Sequence, residues 1–188
     1  DLLELDRTAE GIHTFQAPFQ QIDVDPVFDE TTESRGEFYL KRVCHGTENT
    51  PLYMIRFDYL TPEKSVTIIN GATVYLFAPG MSEVQESTLV DDVKIDAYLS
   101  GFMSTKRLRE HYDVHLESES ERRVVLRLIP RSKTVSRNFK ELRVTFDRGT
   151  WLPTQIVQYK LNGQEVTFRF GRSATVNKTL DSAFFTAE

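Results

Sequence analysis

The stretch Val66-Thr-Ile-Ile-Asn70-Gly71-Ala-Thr73-Val-Tyr-Leu-Phe77 decides the fold class of this chain. β-Branched and aromatic residues, which favour strands, lie on both sides of Asn70-Gly71. Because asparagine and glycine both tolerate a positive φ, this pair is the strongest two-residue hairpin signal that a sequence can carry. The stretch therefore predicts two antiparallel strands, Val66–Ile69 and Thr73–Phe77.

Alternating apolar and polar residues predict further strands on both sides of this hairpin. Gly36–Val43 and Tyr53–Tyr59 precede it, and one more short strand is expected within Met81–Ser87. Consecutive hairpins of this kind make an antiparallel sheet and not a β-α-β fold. The last third of the chain continues the pattern with five segments: Tyr112–Ser118, Arg122–Pro130, Phe139–Asp147, Leu152–Lys160 and Gln164–Arg172.

A helical period replaces the strand pattern at the start and in the middle of the chain. In residues 1–14 and in Val90–Phe102, apolar residues recur at spacings of three and four, which places them on one face of a helix. A short helix, Lys106–His111, follows with Ser104 or Thr105 as its cap. Between the first helix and the sheet, we interpret Phe15–Gln21 as a strand and the acidic Asp23–Ser34 as a loop or irregular edge.

The composition is that of a soluble globular protein. The chain has 188 residues, 39% of them hydrophobic and 27% charged, and a formal net charge of −5. We expect one domain over residues 1–188 and no transmembrane helix. The acidic balance argues against a nucleic-acid partner, and the single cysteine, Cys44, excludes an internal disulfide or a zinc site built on several thiolates.

Candidate chemical sites in the sequence are few. His111, Asp113 and His115 are spaced to line one face of a strand and to present metal ligands, although solvated polar residues at a helix–strand junction are the interpretation we favour. Cys44 and His45 are adjacent, which on a strand sends their side chains to opposite faces and not into a thiolate–imidazole pair. The acidic stretch lacks the spacing of a calcium loop. We therefore predict no catalytic residue, no metal and no cofactor.

The remaining candidate site is apolar. Arg42 follows Phe38 and Leu40 on one face of a strand, and a guanidinium in an apolar interior is costly unless it is paired. Either these residues form an ordinary core and Arg42 reaches solvent at the strand end, or they line an apolar cavity between sheet and helices. The residues predicted to line that cavity are Phe19, Phe38, Leu40, Arg42, Ile55, Phe57, Tyr59, Val74, Leu76, Leu99, Phe102 and Phe168.

Short motifs also follow one another in a recognisable order along the chain. Phe15-Gln-Ala17-Pro-Phe19-Gln-Gln21 is followed by Gly36-Glu-Phe-Tyr-Leu-Lys41-Arg42 and by Met54-Ile-Arg56-Phe-Asp-Tyr59. The hairpin Ile69–Pro79, then Leu128-Ile-Pro130-Arg131 and Leu180-Asp-Ser-Ala-Phe184-Phe185, complete the series. In this order the motifs resemble those of the LolA family, the periplasmic carriers of outer-membrane lipoproteins. The chain departs from the family where Val43 replaces a proline, where Cys44–Pro51 lengthens a turn, and where Phe57 replaces a tryptophan.

The resemblance implies a mainly β (α+β) fold: an unclosed, curved antiparallel β-barrel with a helical lid over a hydrophobic cavity. It implies a monomeric, non-enzymatic periplasmic carrier that binds acyl chains of lipoproteins or lipid. The carrier would receive cargo from an inner-membrane lipoprotein-releasing transporter and pass it to an outer-membrane acceptor. Arg42 matches the family arginine that holds the lid closed by hydrogen bonding to its backbone, and Val90–Phe102 would supply the lid.

Two other functions stay open at this point. Fold alone does not determine cargo, so the chain is alternatively an envelope lipid-binding or lipoprotein-sensing regulatory domain of the same fold. A third hypothesis is an enzyme that uses His111, Asp113 and His115. The chain begins with Asp1 and not with methionine, which we interpret as the trace of a removed export signal.

Overall fold

The computed structural model describes residues 2–44, 51–88, 97–137 and 139–187. Contacts within the chain divide these residues into two compact units. The described residues of Asp1–Gly11, Gln20–Glu33 and Asp91–Phe170 form the first unit, and those of Ile12–Phe19, Ser34–Val90 and Gly171–Glu188 form the second.

The second unit is an antiparallel sheet whose strands lie in the order β6-β5-β4-β3-β2. The predicted hairpin is present, but its two-residue loop is Gly71-Ala72 and not Asn70-Gly71. Asn70 is the last residue of β4 and pairs with Thr73, and Gly71 alone of the predicted pair has a positive φ, of 57°. The first part of β1 lies beside β2 and also pairs with β12. The strands that contribute to this unit are β1 (Thr14–Asp25), β2 (Glu30–Val43), β3 (Leu52–Thr61), β4 (Ser65–Asn70), β5 (Thr73–Phe77), β6 (Gln85–Thr88) and β12 (Thr175–Val176).

The first unit is a second antiparallel run in the order β11-β10-β9-β8-β7, accompanied by helices. Its strands are β7 (Tyr112–Glu119), β8 (Arg123–Pro130), β9 (Glu141–Asp147), β10 (Pro153–Tyr159) and β11 (Glu165–Phe170). Its helices are α1 (Leu2–Gly11), α2 (Thr105–His111) and α3 (Lys133–Ser136), with a 3-10 turn at Ser100–Phe102.

The amphipathic pattern explains why α1 lies where it does. Leu5 and Ala9, one turn apart, are buried, while most of the other side chains of α1 are exposed or partly exposed. Asp6 connects α1 to α2, because its carboxylate accepts hydrogen bonds from the backbone N–H and the hydroxyl of Thr105, at 2.6 and 2.8 Å. Ser104 occupies the cap position of α2, as predicted, but its own side chain makes no capping bond.

The predicted fold class is confirmed. The protein is mainly β with a few helices, and the strand pairings whose register is described above and below are antiparallel. Within the described residues neither run of strands closes on itself, because β6 pairs only with β5 and β7 only with β8. Across the same residues, no helix combines the length and the hydropathy that crossing a membrane requires.

The prediction of a loop or irregular edge at Asp23–Ser34 is wrong for all but the turn between Asp25 and Glu30. β1 runs to Asp25 and β2 starts at Glu30, so this region is a long hairpin. The Asp25 carboxylate accepts hydrogen bonds from the N–H groups of Val27 and Phe28 and so closes the turn, and Asp29 adopts a φ of 50°. A β-ladder is held by backbone hydrogen bonds, so polar strands of this kind form without an apolar alternation.

Other expectations are met only in part. Residues 97–99 are helical and end in the 3-10 turn, whereas residues 90–96 of the predicted lid helix lie outside the described residues. The placement of His111, Asp113 and His115 on one strand face is wrong, because α2 continues through His111 before β7 begins. Asp113 forms an ion pair with Arg131 instead, at 3.3 Å.

Candidate functional site

In the second unit, the strand register places most of the predicted site residues on one face of the sheet. Phe38 lies opposite Phe57, and Leu40 lies opposite Ile55. Paired residues in an antiparallel ladder project to the same side. We call this side the aromatic face. It carries Phe38, Leu40 and Arg42 of β2, Tyr53, Ile55, Phe57 and Tyr59 of β3, Ile69 of β4, and Val74 and Leu76 of β5.

Aromatic rings form a continuous cluster on this face. The Phe19 ring lies 5.5 Å from that of Phe57 and 5.2 Å from that of Tyr59, both edge to face. Phe38 lies 5.2 Å from Phe57 and 6.1 Å from Phe15. Such contacts add to the free energy gained from burial alone. The structure therefore brings four of the predicted residues, Phe19, Phe38, Phe57 and Tyr59, into direct contact.

Arg42 lies at the end of this apolar row. It is half-buried and stands opposite Tyr53, next to the fully buried pair of Leu40 and Ile55. Its backbone N–H donates a hydrogen bond to the His13 carbonyl oxygen at 2.8 Å, which fixes β2 against the chain that enters β1. Arg42 thus lies on the same face of the sheet as Phe38 and Phe57, as the sequence predicted.

The β5 residues mark the margin of the aromatic face. Val74 lies opposite the buried Ile69 and is half-buried, while Leu76 lies opposite Thr67 and is 36% exposed. Burial therefore decreases from β2 and β3 towards the edge strand. Leu76 is the most accessible of the predicted site residues.

The other three predicted residues, Leu99, Phe102 and Phe168, belong to the first unit and are buried there. The Phe102 ring lies 5.9 Å from that of Phe170, and Tyr98 lies 5.2 Å from Phe168, both edge to face. Burial, reinforced by the negative charge of Asp23, raises the pKa of Tyr98 above its ordinary value, so its hydroxyl stays neutral.

Gly101 permits close packing of the 3-10 turn against β10. A Cβ on Gly101 would lie 2.7 Å from the Pro153 Cβ and 3.4 Å from the Ile156 Cδ1, so only glycine fits without movement. The described end of the predicted lid, residues 97–102, therefore rests on the face of β10 that carries Ile156.

A second group of residues, none of which was predicted as a site residue, covers the opposite face of β3 and β4. The closing segment, residues 180–185, lies there with Phe185 buried in a cluster with Met54 and Ile68. The Arg56 guanidinium stacks on the Phe184 ring at 4.0 Å and donates to the Phe184 carbonyl oxygen at 2.9 Å.

Two further donors hold the closing segment. Lys41 Nζ donates to the Leu180 carbonyl oxygen at 2.6 Å and to Ser182 Oγ at 3.0 Å. Asn70 Nδ2 donates to the Phe185 carbonyl oxygen at 3.3 Å. The sequence signal for these residues is that Lys41, Arg56 and Asn70 each lie within one of the motifs quoted above. Strand alternation does not indicate which distant residues they bind.

The second unit also contains a polar cleft of about 240 Å³, and Glu37 is one of the residues that line it. Burial, and after it the negative charge of Asp58, raise the pKa of the Glu37 carboxyl above its ordinary value. Asp58 lies opposite Glu37 in the ladder. None of the residues that line the cleft was predicted as a site residue; they are Gln16, Ala17, Pro18, Glu37, Ser173, Thr175 and Lys178.

We expect Glu37→Gln to raise the melting temperature at pH 7 and to lose this effect near pH 3.5. A raised folded-state pKa means that folding disfavours the ionised carboxylate, so stability falls as the pH rises from the ordinary pKa of a glutamate through the raised value. The glutamine side chain does not ionise, so Glu37→Gln removes this dependence of stability on pH. Thermal melts of both proteins at the two pH values measure the effect, with Glu30→Gln, at an exposed position, as the control. If Glu37→Gln still had the higher melting temperature at pH 3.5, or had no higher melting temperature at pH 7, the raised pKa of Glu37 would be contradicted.

Comparison with known proteins finds a family model and two relatives that carry the same description. The family model described as outer membrane lipoprotein carrier protein LolA matches residues 10–188. An outer-membrane lipoprotein carrier protein of Actinobacillus pleuropneumoniae serotype 7 (strain AP76) is 24% identical over 149 residues, 79% of this chain and 62% of the relative. Its counterpart in Coxiella burnetii (strain CbuK_Q154) is 25% identical over 184 residues, 97% of this chain and 80% of the relative.

Solved structures show the same fold. A chain of the Pseudomonas aeruginosa MucA/MucB complex superimposes with a TM-score of 0.51 at 18% identity, covering 100% of this chain and 60% of that one. The chain thus spans less than two thirds of the length of this structure and of the Actinobacillus relative.

Proposed function

The chain belongs to the LolA family of outer membrane lipoprotein carrier proteins, and on that premise we propose that it is a periplasmic carrier. It binds acyl chains of lipoproteins in a hydrophobic cavity and moves them from the inner to the outer membrane. Residues 1–188 act as one lipid-binding domain and as a monomer, without catalysis. Its partners are an inner-membrane lipoprotein-releasing transporter and an outer-membrane acceptor.

The aromatic face supports this proposal best. Phe19, Phe38, Phe57 and Tyr59 form a continuous apolar cluster in which all but Tyr59 are buried, and Arg42 lies on the same side of the sheet. Each buried methylene of an acyl chain contributes about 0.8 kcal/mol, so an apolar site built from these side chains would bind a long chain tightly.

Tight binding makes release the difficult step for a carrier. A ligand shifts a conformational equilibrium only through its different affinity for the two states, so a closed state that excludes cargo must compete with the loaded state. In the proposal Arg42 stabilises the closed state by hydrogen bonding to the backbone of the lid, and cargo must displace that contact. Removing the guanidinium therefore favours the loaded state.

We expect Arg42→Leu to retain a lipidated peptide that the unmodified protein hands on. A hydrogen bond from a charged group contributes about 1.5–3 kcal/mol, so release should slow by roughly tenfold to a hundredfold. The measurement uses a synthetic peptide with two palmitoyl chains and a fluorophore, loaded onto the purified protein. Its transfer to phosphatidylcholine vesicles is then followed over time.

Arg123→Leu is the matched control, because Arg123 is exposed at the start of β8 and should release the peptide at the unmodified rate. If the unmodified protein neither takes up the peptide nor enhances the emission of a lipophilic dye, the carrier proposal fails. If Arg42→Leu releases the peptide as fast as the control, the role of Arg42 is wrong.

The fold match to a chain of a two-protein complex supports one alternative, an envelope lipid-binding or lipoprotein-sensing regulatory domain. Such a domain uses the same apolar surface as a detector and binds a membrane-anchored signalling protein. Lipid would then change the affinity for that partner and would not be passed to acceptor vesicles. The vesicle assay separates the two functions, because a detector holds its lipid with or without Arg42.

A further inference from the structure

Gln158 introduces a polar group into the apolar interior of the first unit. Its side chain belongs to β10 and lies opposite Leu142 of β9 and Val166 of β11, both of which are buried. Gln158 itself is 7% exposed. Aliphatic side chains therefore stand on both sides of its amide along the sheet.

The amide is not satisfied within this interior. Its Nε2 atom is fully buried and has no hydrogen-bond partner in the part of the chain that the structure describes. A buried donor without an acceptor destabilises the folded protein, and in native structures such groups are few and call for an explanation. A leucine or methionine at this position would avoid the penalty, so the glutamine requires a reason other than stability.

The location of Gln158 suggests that reason. Ile156, two residues earlier in β10, projects from the same face, and its Cδ1 atom is the one that approaches Gly101. The face that carries Gln158 is therefore the face on which residues 97–102, the described end of the predicted lid, rest. Movement of that segment would uncover the amide together with the aliphatic side chains around it.

We propose that Gln158 Nε2 donates a hydrogen bond to the carbonyl oxygen of a bound acyl chain, at its ester or amide group. This inference rests on the proposed function. The hydrocarbon part of an acyl chain supplies affinity but no fixed position, because apolar contacts have no direction. A carbonyl oxygen accepts and does not donate, so it matches an unpaired N–H, and one polar contact fixes how deep the chain lies.

A pair of lipids that differ in the carbonyl alone tests the proposal. The protein binds 1-monopalmitoylglycerol, an ester, about three- to tenfold more tightly than 1-O-hexadecylglycerol, the ether of the same chain length. Displacement of a lipophilic dye measures both affinities. In Gln158→Leu the preference disappears and the ether binds at least as tightly as before. Gln158→Met, which keeps the length of the side chain, repeats the test if the leucine variant folds poorly.

Gln155→Leu is the matched control. Gln155 is on the same strand but accepts a hydrogen bond from Arg169 Nε at 3.0 Å, and we expect this variant to keep the preference for the ester. Without ligand, Gln158→Leu raises the melting temperature by about 2–4 °C, because the unpaired amide is gone. Equal binding of ester and ether by the unmodified protein overturns the role of Gln158 and leaves the carrier proposal intact. Binding of neither lipid overturns both.

Discussion

Gly36→Ala is expected to cost the protein about 3–5 kcal/mol of its free energy of unfolding, through a clash with the backbone of the neighbouring strand. A Cβ built on Gly36 falls far inside the contact distance of the Asp58 carbonyl oxygen, 2.8 Å from the Asp58 carbonyl carbon and 3.0 Å from the Tyr59 Cα. All three are main-chain atoms, so no side-chain rotation relieves the overlap. β2 and β3 must separate or slip at this point.

The pairing of the two strands explains why the site is so tight. The register of β2 against β3 shifts between Arg35 and Gly36, which marks an irregularity in the ladder. Glycine is the usual residue where such a shift brings two backbones close together. From Gly36 onward the register is regular and aligns Phe38 with Phe57 and Leu40 with Ile55. A slip of one residue would turn these side chains to the opposite face.

Urea denaturation measures the effect, and Gly11→Ala provides the control. Apart from its chain neighbours and the backbone of α1 itself, no atom of the described residues lies within 4 Å of a Cβ built on Gly11, at the end of α1. Alanine there should therefore change the free energy of unfolding by no more than about 0.5 kcal/mol. The folded fraction of Gly36→Ala should also lose binding of the lipophilic dye, since the aromatic face depends on this register. Equal denaturation midpoints for Gly36→Ala and Gly11→Ala would refute the prediction.

The elements predicted correctly are those with local signals. Gly71 supplies the positive φ that the hairpin turn requires, and alternation on both sides determines which side chains share a face. The aromatic face follows from these two facts, because a regular register keeps Phe38, Leu40 and Arg42 together. Contacts between Phe19 and the rings of β3 need only the adjacency of β1 and β2.

The elements that were missed depend on distant partners. β12 consists of two residues, Thr175 and Val176, and exists only because β1 supplies its hydrogen-bond partners. Two residues cannot show a period, so no pattern predicts such a strand. The same difficulty applies to Gln158, which occupies an apolar position of an alternating strand. Only the packed structure shows that its Nε2 atom is buried and has no hydrogen-bond partner among the described residues.

The closing segment explains why the motifs of the sequence occur together. Lys41, Arg56 and Asn70 come from three different motifs, and each donates a hydrogen bond to a carbonyl oxygen of the segment that holds Phe184 and Phe185. Their partners are 139, 128 and 115 residues away in the chain. The motifs on β2, β3 and β4 are therefore parts of one structural arrangement, on the face opposite to the aromatic face.

Phe185→Ala tests the energetic importance of that arrangement. Phe185 is completely buried, packs with Met54 and Ile68, and meets the Phe184 ring edge to face at 5.6 Å. Truncation of a buried phenylalanine costs about 3–5 kcal/mol, from lost burial and from the cavity that remains. Since a domain is stable by only about 5–15 kcal/mol, the variant should unfold at a much lower urea concentration. Phe28→Ala, at a side chain 72% exposed, should match the unmodified protein.

The same variant separates the two faces of the sheet functionally. Met54 and Ile68 project away from the side that carries Phe38, Leu40 and Arg42, so loss of Phe185 removes no atom from the aromatic face. At a temperature where Phe185→Ala remains folded, its affinity for the lipophilic dye should stay within about twofold of the unmodified value, a difference below 0.5 kcal/mol. A folded variant that no longer binds the dye would place the apolar site at the closing segment and not on the aromatic face. A loss of stability below about 1 kcal/mol would show that the segment is dispensable for the fold.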